Sequence, residues 1–370
     1  VRIVRIDPSD APFERGRSHG AFVGVAVHEL AAIRCRLACE QGLFRSEDEL
    51  LRVAERHLAT LERYDVPLFE ELRGIASGAE IELARVVVLN HYTDLKDLDP
   101  RALFGEPPST SSVARDDECS AIVAATHEGA LLGQTWDMHG SASPFVVMLH
   151  VPAWRERPEA WLLSLSGCLG MAGMNAAGLG ITINNLKSND ARVGLVWPAL
   201  VRRVLAETEA RAGAEIVRHA PLGSGHHYLV ADAARAIGVE TSGTMSEIWA
   251  EADMQAVGSG FHHENHCLGR EVARVSSISP VSTTLERHAW LESSLRARPI
   301  DSAADMWGRL GSHEGYPRSV CTHLASATSP HAMQTCAGIV MNLTARRMWG
   351  IAGCVHEGTP VELAFDEEKS

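Results

Sequence analysis

The chain has 370 residues and a formal net charge of −13, with 47 acidic against 34 basic side chains. That balance argues against a general nucleic-acid binder, which carries a basic footprint, and against docking on a membrane rich in anionic lipid. With 45% hydrophobic residues and no uninterrupted apolar stretch long enough to span a bilayer, the sequence reads as a soluble globular protein of one large domain or two ordinary ones.

Residues 1–20 contain no signal-peptide core and open on Val1 rather than Met. Apolar residues recur at helical spacing over 22–40 and 47–61, and 69–77 and 83–93 read as further helices. Residues 104–117, FGEPPSTSSVARDD, are rich in Pro, Ser and charge and predict a loop. The next segment, CSAIVAATHEGALLGQTWDMH, is a β-hairpin pattern with its turn around His127-Glu128-Gly129. Further strands are predicted over 145–151, 160–166 and 180–185, then a helix over 197–207. A strand pair over 226–231 and 237–241, a helix over 282–296 and a late hairpin over 337–342 and 347–353 complete the pattern. The predicted class is α+β: a mainly helical segment 1–118 leads into a strand-rich segment 119–370 with two or three helices. The sequence has no internal repeat and no low-complexity tail beyond 366–370.

The eight cysteines are scattered and form no CxxC pair, which fits neither a disulfide framework nor a zinc ribbon and points to a reducing cytoplasm. Cys119 stands apart because it opens a strand directly after the acidic loop. Folding the hairpin about Glu128 places Cys119 opposite Asp137, and a half-residue shift places it opposite Met138. Either register puts a carboxylate beside the thiol. Spacing alone also fits a buried strand cysteine with Asp137 capping a turn, since most cysteines are small core residues.

Several motifs shift that weighting. DDECSAIVA, GQTWDMH, GCLGMAGMNAAGLGITINNL and HHENHCL occur in this order, with ERGRSHG and ELRGIASGAEI upstream. Together they resemble the isopenicillin N acyltransferase family, the acyl-coenzyme A:6-aminopenicillanic acid acyltransferase-like proteins, over most of the chain. The resemblance implies the four-layer αββα sandwich of N-terminal-nucleophile hydrolases. It also implies self-cleavage between Glu118 and Cys119, leaving fragments 1–118 and 119–370 as partners in one αββα unit. In such a protein the Cys119 thiol attacks the Glu118 carbonyl, and water opens the resulting thioester. The freed α-amino group, with an ordinary pKa near 8, then serves as base for its own thiol.

By the same resemblance, Asp137 would orient that amine and the side chain of Asn265 would help form the oxyanion hole. Asn185 matches an Asn of related cysteine amidases that cleave conjugated bile acids, with Asn184 as the competing position. Arg318 in GYPRSVCTH is the candidate for the Arg that supports the nucleophile. Two departures from the family pattern are visible. Glu118 stands where Gly is common before the nucleophile, and Asp116, Asp117 and Glu118 would disfavour a thiolate and slow self-cleavage. Val320-Cys321 is followed by Thr322, not by Arg.

Other clusters read more plainly. His262, His263 and His266 with Glu264 lack the HExxH spacing and suit a loop that positions Asn265 better than a metal site. The glycines between 170 and 180 lack a P-loop or dinucleotide pattern and suit close backbone approach. Trp136 and Met138 fit an acyl pocket or core packing equally, and Cys168 and Cys267 read as inert core thiols. The expected function is amide chemistry through an acyl-thioester on Cys119. The substrate is a small-molecule amide or acyl donor, with no cofactor and no metal. Water as acceptor gives a hydrolase. An amine acceptor gives an N-acyltransferase, for which the resemblance implies acyl-coenzyme A as donor. A degenerate homologue that binds an amide without turnover is the competing class. The sequence leaves the oligomeric state open, a homo-oligomer included.

Overall fold

The computed structural model describes residues 1–41, 43–105 and 118–366. The expected loop lies mostly outside the described residues, as do Asp116, Asp117 and nearly all of the tail.

The chain begins with β1 (Arg2–Arg5) and continues through α1 (Pro12–Glu40), α2 (Glu47–Arg56), α3 (Leu58–Tyr64), α4 (Val66–Gly78), α5 (Leu83–Asp97) and the short α6 (Pro100–Leu103). Side-chain caps set several of these starts. Ser46 accepts from the Glu49 N–H, and Asp65 from the Leu68 N–H with Pro67 in the first turn. The helix expected over 47–61 divides at His57, whose buried imidazole bonds the Gly194 carbonyl at 2.9 Å.

The strand-rich part runs β2 (Glu118–Thr126), β3 (Gly129–His139), β4 (Val146–Val151), β5 (Ala160–Leu165), β6 (Ala172–Asn175), β7 (Gly180–Leu186), α7 (Trp197–Val204) and α8 (Ala210–His219). It continues with β8 (Gly225–Ala231), β9 (Arg235–Thr241), β10 (Ser246–Asp253), β11 (Gly260–His263), α9 (Thr284–Ala297), α10 (Ala303–Leu310), β12 (Met333–Asn342), β13 (Arg347–Ala352) and β14 (Val361–Leu363). Four helices therefore follow residue 118 among the described residues, not two or three. The sequence reading missed α8, α10 and several strands. β11 spans four residues, too few to show a period, and β10 is half exposed with a register shift between Ile248 and Ala250 that breaks its alternation.

The strands form an eight-stranded sheet, ordered β1-β4-β5-β6-β7-β8-β9-β10, and a six-stranded sheet, ordered β11-β2-β3-β12-β13-β14. The sheets pack face to face. Met148 of β4 fills the space over Gly350 of β13, and Leu132 and Met341 meet Gly180 of β7. On the outer side of the larger sheet, Val27 of α1 and Leu89 of α5 cover Gly167. On the outer side of the smaller sheet, Met306 and Leu310 of α10 cover Gly133 of β3. The order is helix, sheet, sheet, helix, which is the expected four-layer αββα sandwich. A second apolar cluster, including Ile122, Leu131, Leu291 and Val340, fills the space between the smaller sheet and its helices.

The two upstream motifs are a helix-packing seam. ERGRSHG lies in α1 and ELRGIASG in α4. A Cβ built on Gly16 would fall 1.8 Å from the Glu71 carbonyl oxygen, and one on Gly74 2.0 Å from that of Phe13. The helices touch backbone to backbone, and only glycine permits that approach. Gly74→Ala should therefore force α1 and α4 apart and cost about 1–3 kcal/mol, seen as a lower Tm. Gly308 of α10 has open space around a built Cβ, so Gly308→Ala should leave Tm unchanged or raise it slightly. Equal effects from the two substitutions would refute the seam.

Candidate active site

The hairpin that carries Cys119 turns through two residues, because Thr126 pairs with Gly129. The Thr126 hydroxyl donates to the Gly129 carbonyl at 2.8 Å and accepts from the Glu128 N–H at 3.1 Å. This fixes a register one residue away from the expected one: Cys119 faces Trp136, and Glu118 faces Asp137. The sequence reading assumed a turn centred on Glu128 and so carried one residue too many. Asp137 is still near enough to the thiol for its backbone N–H and its charge to act on the sulfur.

Cys119 is buried, and its pKa stands well above the usual thiol range. Burial is the main cause, followed by the charge of Asp137; the Asp137 N–H, the Gln134 side chain and Arg287 oppose the shift. The Cys119 N–H, which belongs to the Glu118–Cys119 peptide, donates to Asn265 Oδ1 at 2.8 Å. Asn265 arrives there because β11 pairs with β2, His263 opposite Ala121, so the chain leaving β11 runs past the head of β2. Gln134 ties the two sheets together at the same point: its amide nitrogen donates to the Ile183 carbonyl, and its oxygen accepts from the Ile183 N–H.

Glu118 does not disturb the thiol in the way its charge suggested. Its carboxylate is fully buried on the face occupied by α9. It accepts from the Ser282 hydroxyl at 2.5 Å, from the Thr283 N–H at 2.8 Å and from the Thr283 hydroxyl. It also pairs with Arg287 at 3.0 Å. Arg287 is buried as well. It donates to the Cys119 carbonyl at 2.8 Å, the Ser120 hydroxyl at 2.8 Å and Asn265 Oδ1 at 2.9 Å.

The arginine in contact with the Cys119 backbone is Arg287 rather than Arg318. Arg318 sits partly exposed and pairs with Glu286 at 2.9 Å. Sequence reading missed Arg287 because it is one arginine among several on a helix, with no spacing that marks it. Its only local sign is the Ser282-Thr283-Thr284 run before it, which supplies the hydroxyls around Glu118.

Two side chains present unmatched polar atoms here. Asp137 Oδ1 accepts from the Thr335 hydroxyl at 2.7 Å, while its Oδ2 is buried with no hydrogen-bond partner. Burial raises the Asp137 pKa to about 7, with Arg287 opposing the shift and Glu118 adding to it. Asn185 lines the cleft with Cys119, Trp136, Met138 and Trp197, and its Oδ1 is also buried without a partner. Asn184 is committed elsewhere. Its nitrogen donates to the carbonyls of Cys119 and His263, each at 3.1 Å, and its oxygen meets His227 Nδ1 at 2.9 Å. Asn185 is thus the asparagine that faces the cleft, and Asn184 braces the strands.

A larger cavity of roughly 530 Å³, lined by Tyr92, His139, Glu118 and Arg318 among others, shares Tyr92 with the cleft. The histidine cluster after β11 splits up. His263 bonds Glu240 at 2.8 Å, His266 bonds Thr284 at 2.9 Å, and His262 meets Glu264 at 2.9 Å. Glu264 also holds His288 at 2.6 Å. These contacts satisfy the polar atoms of the loop that carries Asn265.

The profile described as acyl-coenzyme A:6-aminopenicillanic acid acyl-transferase matches residues 124–353. The chain belongs to that family. Cys119 lies just before the matched range. A curated relative, the acyl-coenzyme A:6-aminopenicillanic-acid-acyltransferase 40 kDa form of Emericella nidulans, is 26% identical over 257 residues. That match covers 68% of this chain and 66% of the relative, just under two thirds of its length. Among solved structures, penicillin V acylase from Agrobacterium tumefaciens is similar with a TM-score of 0.43 and 14% identity, over 68% of this chain and 86% of that one. A mutant of conjugated bile acid hydrolase from Clostridium perfringens gives 0.41 and 11%, over 67% and 97%.

Two predictions follow from the buried charges. Arg287→Met leaves Glu118 buried without its cation and should cost about 3–5 kcal/mol in the uncut chain, measured by denaturant unfolding of Cys119→Ala protein. A cost under about 1 kcal/mol, the scale of exposed pairs, would mean that the pair is solvated. Asp137 gives a pH signature. Its folded pKa near 7 lies above the ordinary value of 3.8. From pH 4 to 7 the unfolded chain gives up this proton and the folded chain keeps it, so stability falls as pH rises and the loss is complete above 7. In the Cys119→Ala background, Asp137→Asn should therefore gain stability progressively over that window, by at most about 4 kcal/mol. A gain independent of pH would show that Asp137 is not the titrating group.

Proposed function

We propose that this protein is a self-processing cysteine amidohydrolase or acyltransferase that works through an acyl-thioester on Cys119. The observation that carries this reading is the pair of buried, unpartnered oxygens on Asp137 and Asn185 around a thiol at the head of a strand. Such atoms are costly unless a reacting group satisfies them. The intact set of Cys119, Asp137 and Asn265 speaks against a degenerate homologue without turnover.

In the first event the Cys119 sulfur attacks the Glu118 carbonyl carbon. The Cys119 nitrogen leaves as an amine and takes up the thiol proton. Water then opens the thioester, releasing the Glu118 carboxyl and restoring the thiol. The new α-amino group remains held by Asn265 Oδ1 and gains Asp137 Oδ2 as partner. In turnover that amine takes the proton from Sγ as the sulfur attacks the substrate carbonyl, then passes it to the departing amine. The amides of Asn265 and Asn185 are the candidate donors to the oxyanion. In the uncut chain the Asn265 nitrogen already donates to the Asn185 carbonyl at 2.9 Å, so the two asparagines act as one unit.

Water as acceptor completes a hydrolase cycle and needs no dedicated acceptor site, which favours hydrolysis. An amine as acceptor, with acyl-coenzyme A as donor, completes the transferase cycle named for the relative. Glu118 is itself the first acyl group carried by Cys119. Its carboxylate site would then be free for substrates whose acyl group bears a negative charge. The scattered cysteines support a reducing cytoplasm, and no described helix is long and apolar enough to cross a membrane.

Intact-mass spectrometry should find wild-type protein as two fragments, the larger beginning at Cys119, and Cys119→Ala as one chain. On folded, already cut protein, Asn265→Ala should lower kcat by roughly a hundredfold or more. Substrate affinity should change far less. Fully active wild-type protein that stays uncut would sink the mechanism, and an unchanged kcat would remove Asn265 from the site.

A further inference from the structure

Away from Cys119, four side chains converge where the chain leaves α10 and where it turns after β13. They are His313, Cys321, His323 and Cys354, and their ligating atoms all lie within 4.8 Å of one another. The two imidazole Nε2 atoms are 3.2 Å apart. Cys321 Sγ is 3.4 Å from His323 Nε2 and 3.7 Å from Cys354 Sγ. Cys354 Sγ is 3.6 Å from His313 Nε2.

These separations match the edges of one polyhedron. A tetrahedral zinc ion with bonds of about 2.3 Å to sulfur and 2.05 Å to nitrogen requires edges of about 3.8 Å between sulfurs, 3.6 Å between sulfur and nitrogen, and 3.3 Å between nitrogens. The four observed edges follow that order and lie within about 0.2 Å of those values. Ordinary packing gives no reason for two imidazoles to aim the same nitrogen at each other while two thiols complete the figure. A disulfide does not fit either, since its sulfurs sit about 2.05 Å apart.

We propose that His313, Cys321, His323 and Cys354 form a structural zinc site. Two nitrogens and two thiolates in a tetrahedron select zinc among common metals. Four protein ligands leave no open coordination position, so the ion braces the fold and performs no hydrolysis itself. Binding displaces the two thiol protons to solvent, and two thiolates neutralise the dication. The surroundings suit the task. The Cys321 N–H donates to the Ser312 carbonyl at 3.1 Å, and the Ser319 hydroxyl donates to the Cys321 carbonyl at 2.7 Å. The His313 ring stacks on His356, whose Nδ1 meets the Gly311 carbonyl at 2.9 Å.

The site also connects to the thiol cleft. Thr322, between two of the ligands, exchanges 2.8 Å hydrogen bonds with Thr335, one from each backbone N–H. The Thr335 hydroxyl is the donor to Asp137 Oδ1. The ion would therefore pin the loop that holds Asp137 in place.

The test is metal analysis of full-length protein, produced with zinc in the medium and purified without chelators. Wild-type and Cys267→Ser protein should carry about one zinc per chain, and Cys354→Ser should fall to background. Because Cys354→Ser could fail to fold, wild-type protein reconstituted with cobalt provides an independent arm. It should show the intense visible bands of tetrahedral cobalt and a thiolate-to-cobalt charge-transfer band. Wild-type protein that carries no zinc and gives no such spectrum would overturn the proposal. So would a Cys321–Cys354 disulfide found by peptide mapping of the purified protein.

Discussion

The structure around the thiol depends on one buried guanidinium. Arg287 has five N–H groups, and each has a partner: Thr283, the Cys119 carbonyl, Ser120, Asn265 and Glu118. A buried cation is tolerable only when it is satisfied in this way. The constraint also runs outward. Two carboxylates, Glu118 and Asp137, share the neighbourhood of this one cation. Glu118 takes the close ion pair, and burial, with a smaller addition from Glu118, keeps Asp137 protonated to about pH 7 against the pull of Arg287. On the proposed mechanism, cleavage adds a second cation, the new α-ammonium, next to the unpartnered Asp137 oxygen. The ammonium must give up a proton before the amine can take one from Sγ, and the carboxyl released on Glu118 adds a further acid beside the same cation.

The N–H of the Glu118–Cys119 peptide is held by Asn265, and the next peptide is held from α9 and from the larger sheet. The Cys119 carbonyl accepts from Arg287 on one side and from Asn184 on the other. Gln134 clamps the backbone of Ile183 across the inter-sheet space. The head of β2 is therefore fixed against both layers, and the strand cannot slide or twist to relieve the peptide. On the proposed mechanism that rigidity would keep the sulfur and the Glu118 carbonyl neighbours for self-cleavage, which is how proximity lowers a barrier.

The sequence made the hairpin, the helical first segment and the αββα layering legible, because those features rest on periodicity and on motifs that are contiguous. The register was not, because a one-residue change in turn length is invisible when Thr126, His127, Glu128 and Gly129 all suit a turn. Motif position favours Asn185 and leaves Asn184 as its competitor; in the structure their side chains divide between cleft and brace. Arg287 escaped because its role comes from facing β2 across the smaller sheet, not from any neighbour in sequence. The metal-type cluster escaped for the same reason: Cys354 lies after β13, and only the pairing of β12 with β13 brings it back to Cys321. ERGRSHG and ELRGIASG lie outside the range that matches the family, and their glycines pack two helices against each other.

With eight cysteines in the chain, something must decide which one reacts. Basicity does not, because burial raises Cys35 to about 12 and pushes Cys119, Cys168 and Cys336 up as well. In the folded chain all of these are protonated and slow. Cys119 differs only in what surrounds it: an adjacent peptide carbonyl, an amide nitrogen already held by Asn265, and a carboxylate oxygen with nothing to bind. On the proposed mechanism its activation is conditional on cutting, since the base does not exist before the bond breaks. Cys321 and Cys354 are set apart by their neighbours, since their sulfurs lie 3.7 Å from each other and beside two histidines. Holding both on zinc would occupy their lone pairs and remove them as competitors. Burial would then silence the core thiols, coordination the paired ones, and a bond yet to be broken the one that does the chemistry.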